Sequence, residues 1–238
     1  MDNTITQEPK TSLLIAYGNF LFKYRNAVFP LFMVPLSLAF TPNLTTGWLP
    51  WLGLAMASLG QLLRMAVIGF AYIKRGGMNK KVYADTLVTT GFFSLCRNPL
   101  YVGNVLILGG LLVIHGNPVV LIAGGLFFLL AYHAIIAAEE FYLSNKFGEQ
   151  YAAYCADVPR WFLRLDRFSR LKGMEFHWRK VIYKDYSTLA SWGSQAILLL
   201  AYRDYCLHGG FPASECFALL ALVVAAYSIR VVKKRFPL

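Results

Sequence analysis

The chain has 238 residues, 57% of them hydrophobic and 15% charged, with a formal net charge of +11. A soluble domain carries about 25% charged residues, and several apolar runs here reach the ~20 residues that cross a bilayer, which excludes an ordinary soluble globule. The basic excess is read as loops facing anionic lipid headgroups, not as a nucleic-acid surface.

The pattern predicts an all-α, polytopic membrane helix bundle, with about six transmembrane helices plus interfacial helices. Met1–Ser12 is polar and holds Asp2 and Glu8, unlike a secretory signal. Thr11–Arg25 is expected to be an interfacial helix leading into a first span over 26–42, which Pro30 and Pro35 would kink. Asn43-Leu44-Thr45 matches a glycosylation sequon and carries little weight. The second span is predicted from Trp48 to Ile73, ended by Lys74-Arg75-Gly76-Gly77, with 78–96 at the interface. The third runs from Pro99 to Ile114. His115-Gly116-Asn117-Pro118 makes a turn into a fourth over Val119–Ala138, which continues as an amphipathic helix to Tyr154. Residues 160–186 are strongly basic, and the last two spans fall near 187–206 and 213–232. This divides the chain into 1–47, a core at 48–163, and a basic segment with a two-span appendage at 164–238. Of 23 Lys and Arg residues, all but Arg64 and Arg203 fall on one side, so both termini are expected in the cytoplasm. No internal repeat is evident, which counts against an inverted-repeat transporter. Cys96, Cys155, Cys206 and Cys216 show neither a CxxC pair nor metal-ligand spacing, so no disulfide framework and no metal site is expected.

Three places hold residues that a membrane helix does not need. Arg97-Asn98-Pro99-Leu100-Tyr101-Val102-Gly103 opens the third span. Asn98 suits a helix cap and Pro99 the first helical position; Arg97 and Tyr101 suit the headgroup level. Glu139 and Glu140 close the uncharged fourth span, and a like-charged pair at a membrane boundary repels itself. The plain alternative is a solvated helix segment just outside the lipid. His133 lies seven residues before Glu140 and Tyr132 seven before Glu139, so each pair shares a helix face to within about 20°. Such stripes are expected to face the bundle or a cavity, although a lone His133 could be a satisfied core residue. Arg64 lies about ten residues, roughly 15 Å, from the Lys74 end of its span, near the midplane where a charge is costly. Glu139, Glu140 or a ligand carboxylate would pair with it; an internal ion pair is the alternative. The basic Arg160–Lys184 segment marks the cytoplasmic side or binds anionic lipid, and Trp161, Trp178 and Trp192 suit the interface.

With these residues in hand, the chain resembles the isoprenylcysteine carboxyl methyltransferase family of integral-membrane enzymes, which also takes in phospholipid methyltransferase-like members. The resemblance covers roughly residues 60–163. It runs through Gly60-x-x-Leu63-Arg64, Leu87-Val88-x-x-Gly91, Arg97-x-Pro99-x-Tyr101-x-Gly103, Glu139-Glu140-x-x-Leu143-x-x-x-Phe147-Gly148-x-x-Tyr151-x-x-Tyr154 and Val158-Pro159-Arg160. It implies S-adenosylmethionine as methyl donor, S-adenosylhomocysteine as product, and an acceptor entering from the membrane. The donor pocket it implies takes in Leu87, Val88, Gly91, Arg97, Asn98, Pro99, Tyr101, Glu139, Glu140, Tyr154 and Arg160. Asn98, Tyr101, His133 and Glu140 become candidate catalytic residues, with Arg64 and His133 toward the acceptor; no general base is assigned. The expected partners are membrane lipids and a lipophilic or small membrane-permeant acceptor, a lipid amine, a thiol or a carboxylate. Three departures matter. Asn98 replaces the family's usual His, Gly91-Phe92-Phe93 replaces Gly-Pro-Tyr, and Ile135 stands where prenylcysteine methyltransferases place an Arg. The last weakens a prenylcysteine carboxylate as acceptor. A transporter or channel lined by Arg64 and His133, or a silent scaffold that keeps the fold, are the readings from other classes.

Overall fold

The computed structural model describes residues 12–70, 84–210 and 212–235. The expectations for Lys74–Gly77 and for the start of the 78–96 stretch fall outside them, as does the polar N-terminal stretch up to Thr11. Among the described residues the regular elements are helices: α1 (Leu13–Ala39), α2 (Leu49–Phe70), α3 (Pro99–His115), α4 (Pro118–Asp157), α5 (Trp178–His208) and α6 (Ala213–Arg235). Short 3₁₀ turns stand at Gly91–Ser94 and Leu165–Leu171.

Among the described residues, three helices are long and apolar enough to cross a bilayer: α2, α4 and α6. α3 is apolar but only 17 residues long, about 25 Å at 1.5 Å per residue. The six-span expectation is therefore met by three helices on length and composition. α1 and α5 fall short because each carries polar residues along its length. Those of α5 include the buried Asp185 and Arg203. α6 buries no residue and packs against α5, so Phe217, Leu220, Val224 and Tyr227 remain exposed. An all-round apolar surface of this kind belongs in lipid, and the chain is an integral membrane protein.

The interfacial helix and the first span it was expected to lead into form a single helix. α1 is continuous through Arg25, Pro30 and Pro35. Each internal proline removes a backbone hydrogen bond, but packing on α4 holds the helix together. Gly18 lets the α1 backbone approach the Ala134 carbonyl and Ala138. Farther along, Phe29 packs edge-on against Phe127, Phe128 and Tyr132. These contacts make α1 and α4 antiparallel.

The α2–α3 pair is the tightest in the fold. A Cβ at Gly60 would lie 2.5 Å from the Gly103 carbonyl oxygen, and one at Gly53 equally close to that of Gly110. Only bare backbones fit there, the small-residue packing by which helices associate in lipid. The same contact lays Arg64 over Gly103, one turn into α3. Arg64 thus stands near the Arg97 end of α3, since Gly103 lies one turn from Pro99.

Candidate functional site

The α3–α4 hairpin turns tightly. Gly116 sits at φ 73°, and the Asn117 side chain accepts from the Val119 N–H at 2.9 Å. Both ends of the hairpin that carried the unexplained charges therefore come out on the same side. Beyond Glu140, α4 continues to Gly148, which has φ 48° and ψ −123°. That conformation is open to glycine alone; it bends the helix so that the next two turns fold back. Tyr154 then donates to the Phe93 carbonyl at 2.7 Å.

The chain after α4 clasps the start of α3. The Arg97 N–H donates to the Pro159 carbonyl at 2.9 Å, and the Arg164 N–H to that of Leu95 at 3.0 Å. Asn98 is the N-terminal residue of α3, but its side chain makes no cap bond. It donates instead to the Arg160 carbonyl at 3.1 Å. The capping expectation fails: the amide is set with its Nδ2 on the Arg160 carbonyl, and its Oδ1 accepts from no first-turn N–H. Pro99 does occupy the first helical turn.

Inside the clasp lie five of the expected residues. Glu140 stands between two cations, Arg160 at 2.7 Å and Arg97 at 3.3 Å. Glu139 accepts from the Tyr101 hydroxyl at 2.8 Å. Arg97 also reaches the Cys155 sulfur at 2.7 Å, a neighbour that the sequence did not single out. Burial works against the Arg97 charge. The Glu140 carboxylate, with Cys155 and Tyr151, outweighs it and raises the Arg97 pKa. Burial pushes the adjacent Cys96 thiol up to about 11.

Two buried polar atoms in this cluster, Arg97 Nε and Arg160 Nε, have no hydrogen-bond partner, and Glu140 Oε1 makes no hydrogen bond beyond its 3.3 Å ion pair with Arg97. Most buried polar atoms are paired, and an orphan asks for an explanation. Two cations and a carboxylate stand together here, a set of groups that matches a zwitterion carrying a carboxylate and an ammonium. The side chains of Arg97, Glu140 and Arg160 keep 17%, 18% and 27% of their surface, so the cluster is reached from outside the fold.

Other expected residues form its walls. Leu87 packs with Leu143, Tyr151, Tyr154 and Val158. Val88 packs with Phe92, Phe93 and Leu95. Gly91, at φ 62°, starts the 3₁₀ turn. Ile135 is fully buried in the core with Leu21, Tyr101 and Leu112.

Two expected residues are not brought here. His133 is exposed on α4. Its alignment with Glu140 holds, but only the Glu140 end of that stripe is covered by the returning chain. Arg64 pairs with Asp185 of α5, and not with Glu139 or Glu140. It also donates to Asn104 at 2.6 Å and Thr188 at 3.2 Å. Gln61 donates to Asp185 at 2.6 Å and accepts from Trp192 at 2.9 Å. Asp185 is an acid at the start of an apolar run, the one signal that could have marked it as the partner of an intramembrane cation.

The two polar clusters meet at a pair of rings. Tyr101 lies against Tyr132 with centroids 5.4 Å apart. On the far side, Tyr132 lines a cavity of about 470 Å³ that also receives Arg64 and Asn104.

A family model described as phospholipid methyltransferase matches residues 48–150. The cobalt-zinc-cadmium resistance protein CzcN of Cupriavidus metallidurans is 33% identical over 172 residues, 70% of this chain and 76% of that protein. The protein-S-isoprenylcysteine O-methyltransferase of Xenopus laevis is 35% identical over 47% of this chain and 40% of its own length. Protein-S-isoprenylcysteine O-methyltransferase B of Arabidopsis thaliana is 31% identical over 51% of this chain and 64% of its own. No solved structure matches significantly. The chain belongs to the integral-membrane methyltransferase family that takes in the phospholipid and the isoprenylcysteine carboxyl methyltransferases.

Proposed function

We propose that this protein transfers the methyl group of S-adenosylmethionine to a lipophilic or small membrane-permeant acceptor at the cytoplasmic face, with both termini on that side. The observation that carries this is the ion cluster of the clasp, Glu140 between Arg160 at 2.7 Å and Arg97 at 3.3 Å, with both arginine Nε atoms left without a hydrogen-bond partner. When bound, the donor supplies an electrophilic methyl group on a sulfonium centre. The two guanidiniums would hold its carboxylate, and Glu140 its ammonium. Glu139 keeps the Tyr101 hydroxyl fixed at the wall nearest the cavity, so that Tyr101 orients donor against acceptor. Asn98 acts one step back, locking the Arg160 backbone in place. Positioning and exclusion of water supply much of the catalysis of an in-line displacement.

The acceptor atom follows less directly. The prenylcysteine alternative needs a cation near Ile135, and that position lies sealed in the apolar core. A lipid amine or a thiol suits the site better than a carboxylate. A transport pathway lined by Arg64 and His133 has less support, since Arg64 is tied to Asp185 and His133 lies on the outer surface.

The test is calorimetry of purified protein with S-adenosylhomocysteine, followed by transfer of labelled methyl into a membrane lipid extract. Binding that Glu140→Gln weakens, with donor-dependent labelling, supports the reading. Wild-type protein that binds no S-adenosylhomocysteine sinks it.

A further inference from the structure

One contact in the clasp lies outside its ion cluster. Arg97 Nη1 donates to the Cys155 sulfur at 2.7 Å, while Glu140 Oε1 stands 3.3 Å from the same nitrogen. Cys155 reaches Arg97 because α4 bends at Gly148. The folded-back turns carry Tyr151, Tyr154 and Cys155, and Tyr154 is fixed by its bond to the Phe93 carbonyl. Cys155 follows Tyr151 by one turn and packs with Tyr151, Tyr154 and Val158. The Arg97 backbone is pinned too, its N–H on the Pro159 carbonyl. Both ends of the contact are therefore held by the fold. Residue 155 lies beyond residues 48–150 that match the family model.

What an acceptor does to a guanidinium depends on the acceptor's charge. A carboxylate makes a charge-assisted bond, roughly twice as strong as a neutral one. A thiol sulfur is only a weak acceptor. It fixes where Nη1 points and competes little with a stronger acceptor that arrives later. The groups that face Arg97 are Glu140, Tyr151 and Cys155, and Glu140 is the one carboxylate among them. Glu140 is drawn more closely to Arg160, at 2.7 Å. Arg97 Nε is buried without a partner. The guanidinium is thus held through Nη1 and open at Nε.

We infer that Cys155 is a positioning residue for the methyl donor. It aims the Arg97 guanidinium through a weak acceptor and leaves its charge for the donor's carboxylate. It acts through Arg97 and has no part in the transfer itself. This role rests on the reading of the clasp as the donor site.

The experiment is calorimetry of the full chain in detergent with S-adenosylhomocysteine, with the melting temperature taken on each sample. A second probe, 5′-methylthioadenosine, keeps the nucleoside and lacks the amino-acid end. Cys155→Ser retains a neutral acceptor and is expected to bind S-adenosylhomocysteine within about threefold of wild type, whereas Cys155→Ala loses the contact and is expected to bind about fivefold more weakly. Cys155→Asp puts a carboxylate on Arg97 and is expected to weaken binding at least about tenfold, with the melting temperature held or raised. A merely structural cysteine would lower affinity and melting temperature together. 5′-Methylthioadenosine is expected to bind Cys155→Asp as it binds wild type. Cys216→Ser, at an exposed position on α6, is expected to change nothing. Wild-type affinity for S-adenosylhomocysteine in Cys155→Asp overturns the inference and spares the donor reading. So does a loss that comes with a fall in melting temperature, or one that 5′-methylthioadenosine shares. Wild-type protein that binds no S-adenosylhomocysteine sinks the donor reading, and the role of Cys155 with it.

Discussion

Arg160 reaches back across the clasp to Glu140, its guanidinium nitrogen 2.7 Å from the carboxylate. The contact joins the middle of α4 to the loop that follows the helix, and Arg160 Nε stays buried without a partner. Removing this cation takes away one charge-assisted contact to Glu140 and, in the proposed donor site, one to the donor.

Arg160→Ala is therefore expected to weaken S-adenosylhomocysteine binding by about ten- to a hundredfold, the range for a hydrogen bond to a charged group. Arg164 gives the contrast. It is 40% exposed and pairs locally with Asp166, and exposed pairs of this kind contribute about 0–1 kcal/mol. Arg164→Ala is expected to leave affinity nearly unchanged. Calorimetry on both variants checks the difference.

Tyr101→Phe removes a hydroxyl that touches Glu139 and leaves the ring against Tyr132. Packing is conserved, so the melting temperature should move little. Glu139 loses one donor, and the wall between donor and cavity loses its fixed polar edge. A fall of about fivefold to tenfold in kcat/KM is expected, about 1–1.4 kcal/mol of transition-state stabilisation. Steady-state kinetics beside thermal melts test it; a large drop in melting temperature would mean the hydroxyl is structural.

Gly148→Ala tests the fold-back of α4. A Cβ there meets nothing within 4 Å, so the obstacle is conformational. The φ of 48° with ψ of −123° costs a non-glycine residue about 1–3 kcal/mol. The helix is expected to straighten, releasing Tyr154 from the Phe93 carbonyl. Proteolysis after residue 148 should accelerate, and donor-product binding should weaken although no binding side chain has changed.

Much of this was legible in the sequence because it depends on local order. Arg97–Gly103 and Glu139–Arg160 bracket one apolar hairpin, and a tight turn must return both to the same side. The family resemblance drew on the same residues. What stayed hidden depends on which helix lies next to which. Arg64 and Asp185 are separated by 121 positions, and no periodicity reports that α5 packs on α2. His133 shows the complementary gap: its stripe was correct, but which part of a stripe is covered depends on where the returning chain runs. Asn98 had the composition of a cap, yet a carbonyl sixty-two positions away took its side chain.

Cys96 offers a check on the burial of the clasp. Its thiol titrates at about 11 against 9.0 for a free one. A raised value in the folded state means that any stability it contributes is whole below pH 9 and is lost as pH rises toward 11. At pH 8 a maleimide is expected to label exposed Cys216 and to spare buried Cys96, since the thiolate is the nucleophile. Mass spectrometry of the peptides reads the pattern; rapid labelling of Cys96 would show that the clasp opens readily.

The Arg64–Asp185 pair gives the most demanding prediction, because it separates a stabilising contact from a compensated one. Both side chains are largely buried, 11% and 2% exposed. Asp185→Ala strands Arg64 in an apolar setting and also deprives Gln61 of its acceptor. Breaking a buried pair from one side costs about 3–5 kcal/mol, so melting in detergent should fall sharply. Replacing both partners, Arg64→Met with Asp185→Leu, removes the stranded charge and is expected to recover most of that loss. If the recovered protein binds S-adenosylhomocysteine normally, the network serves the cavity and not the donor clasp. If the double variant is no more stable than Asp185→Ala, the pair contributes net stability, and α5 is held on α2 by charge rather than by packing.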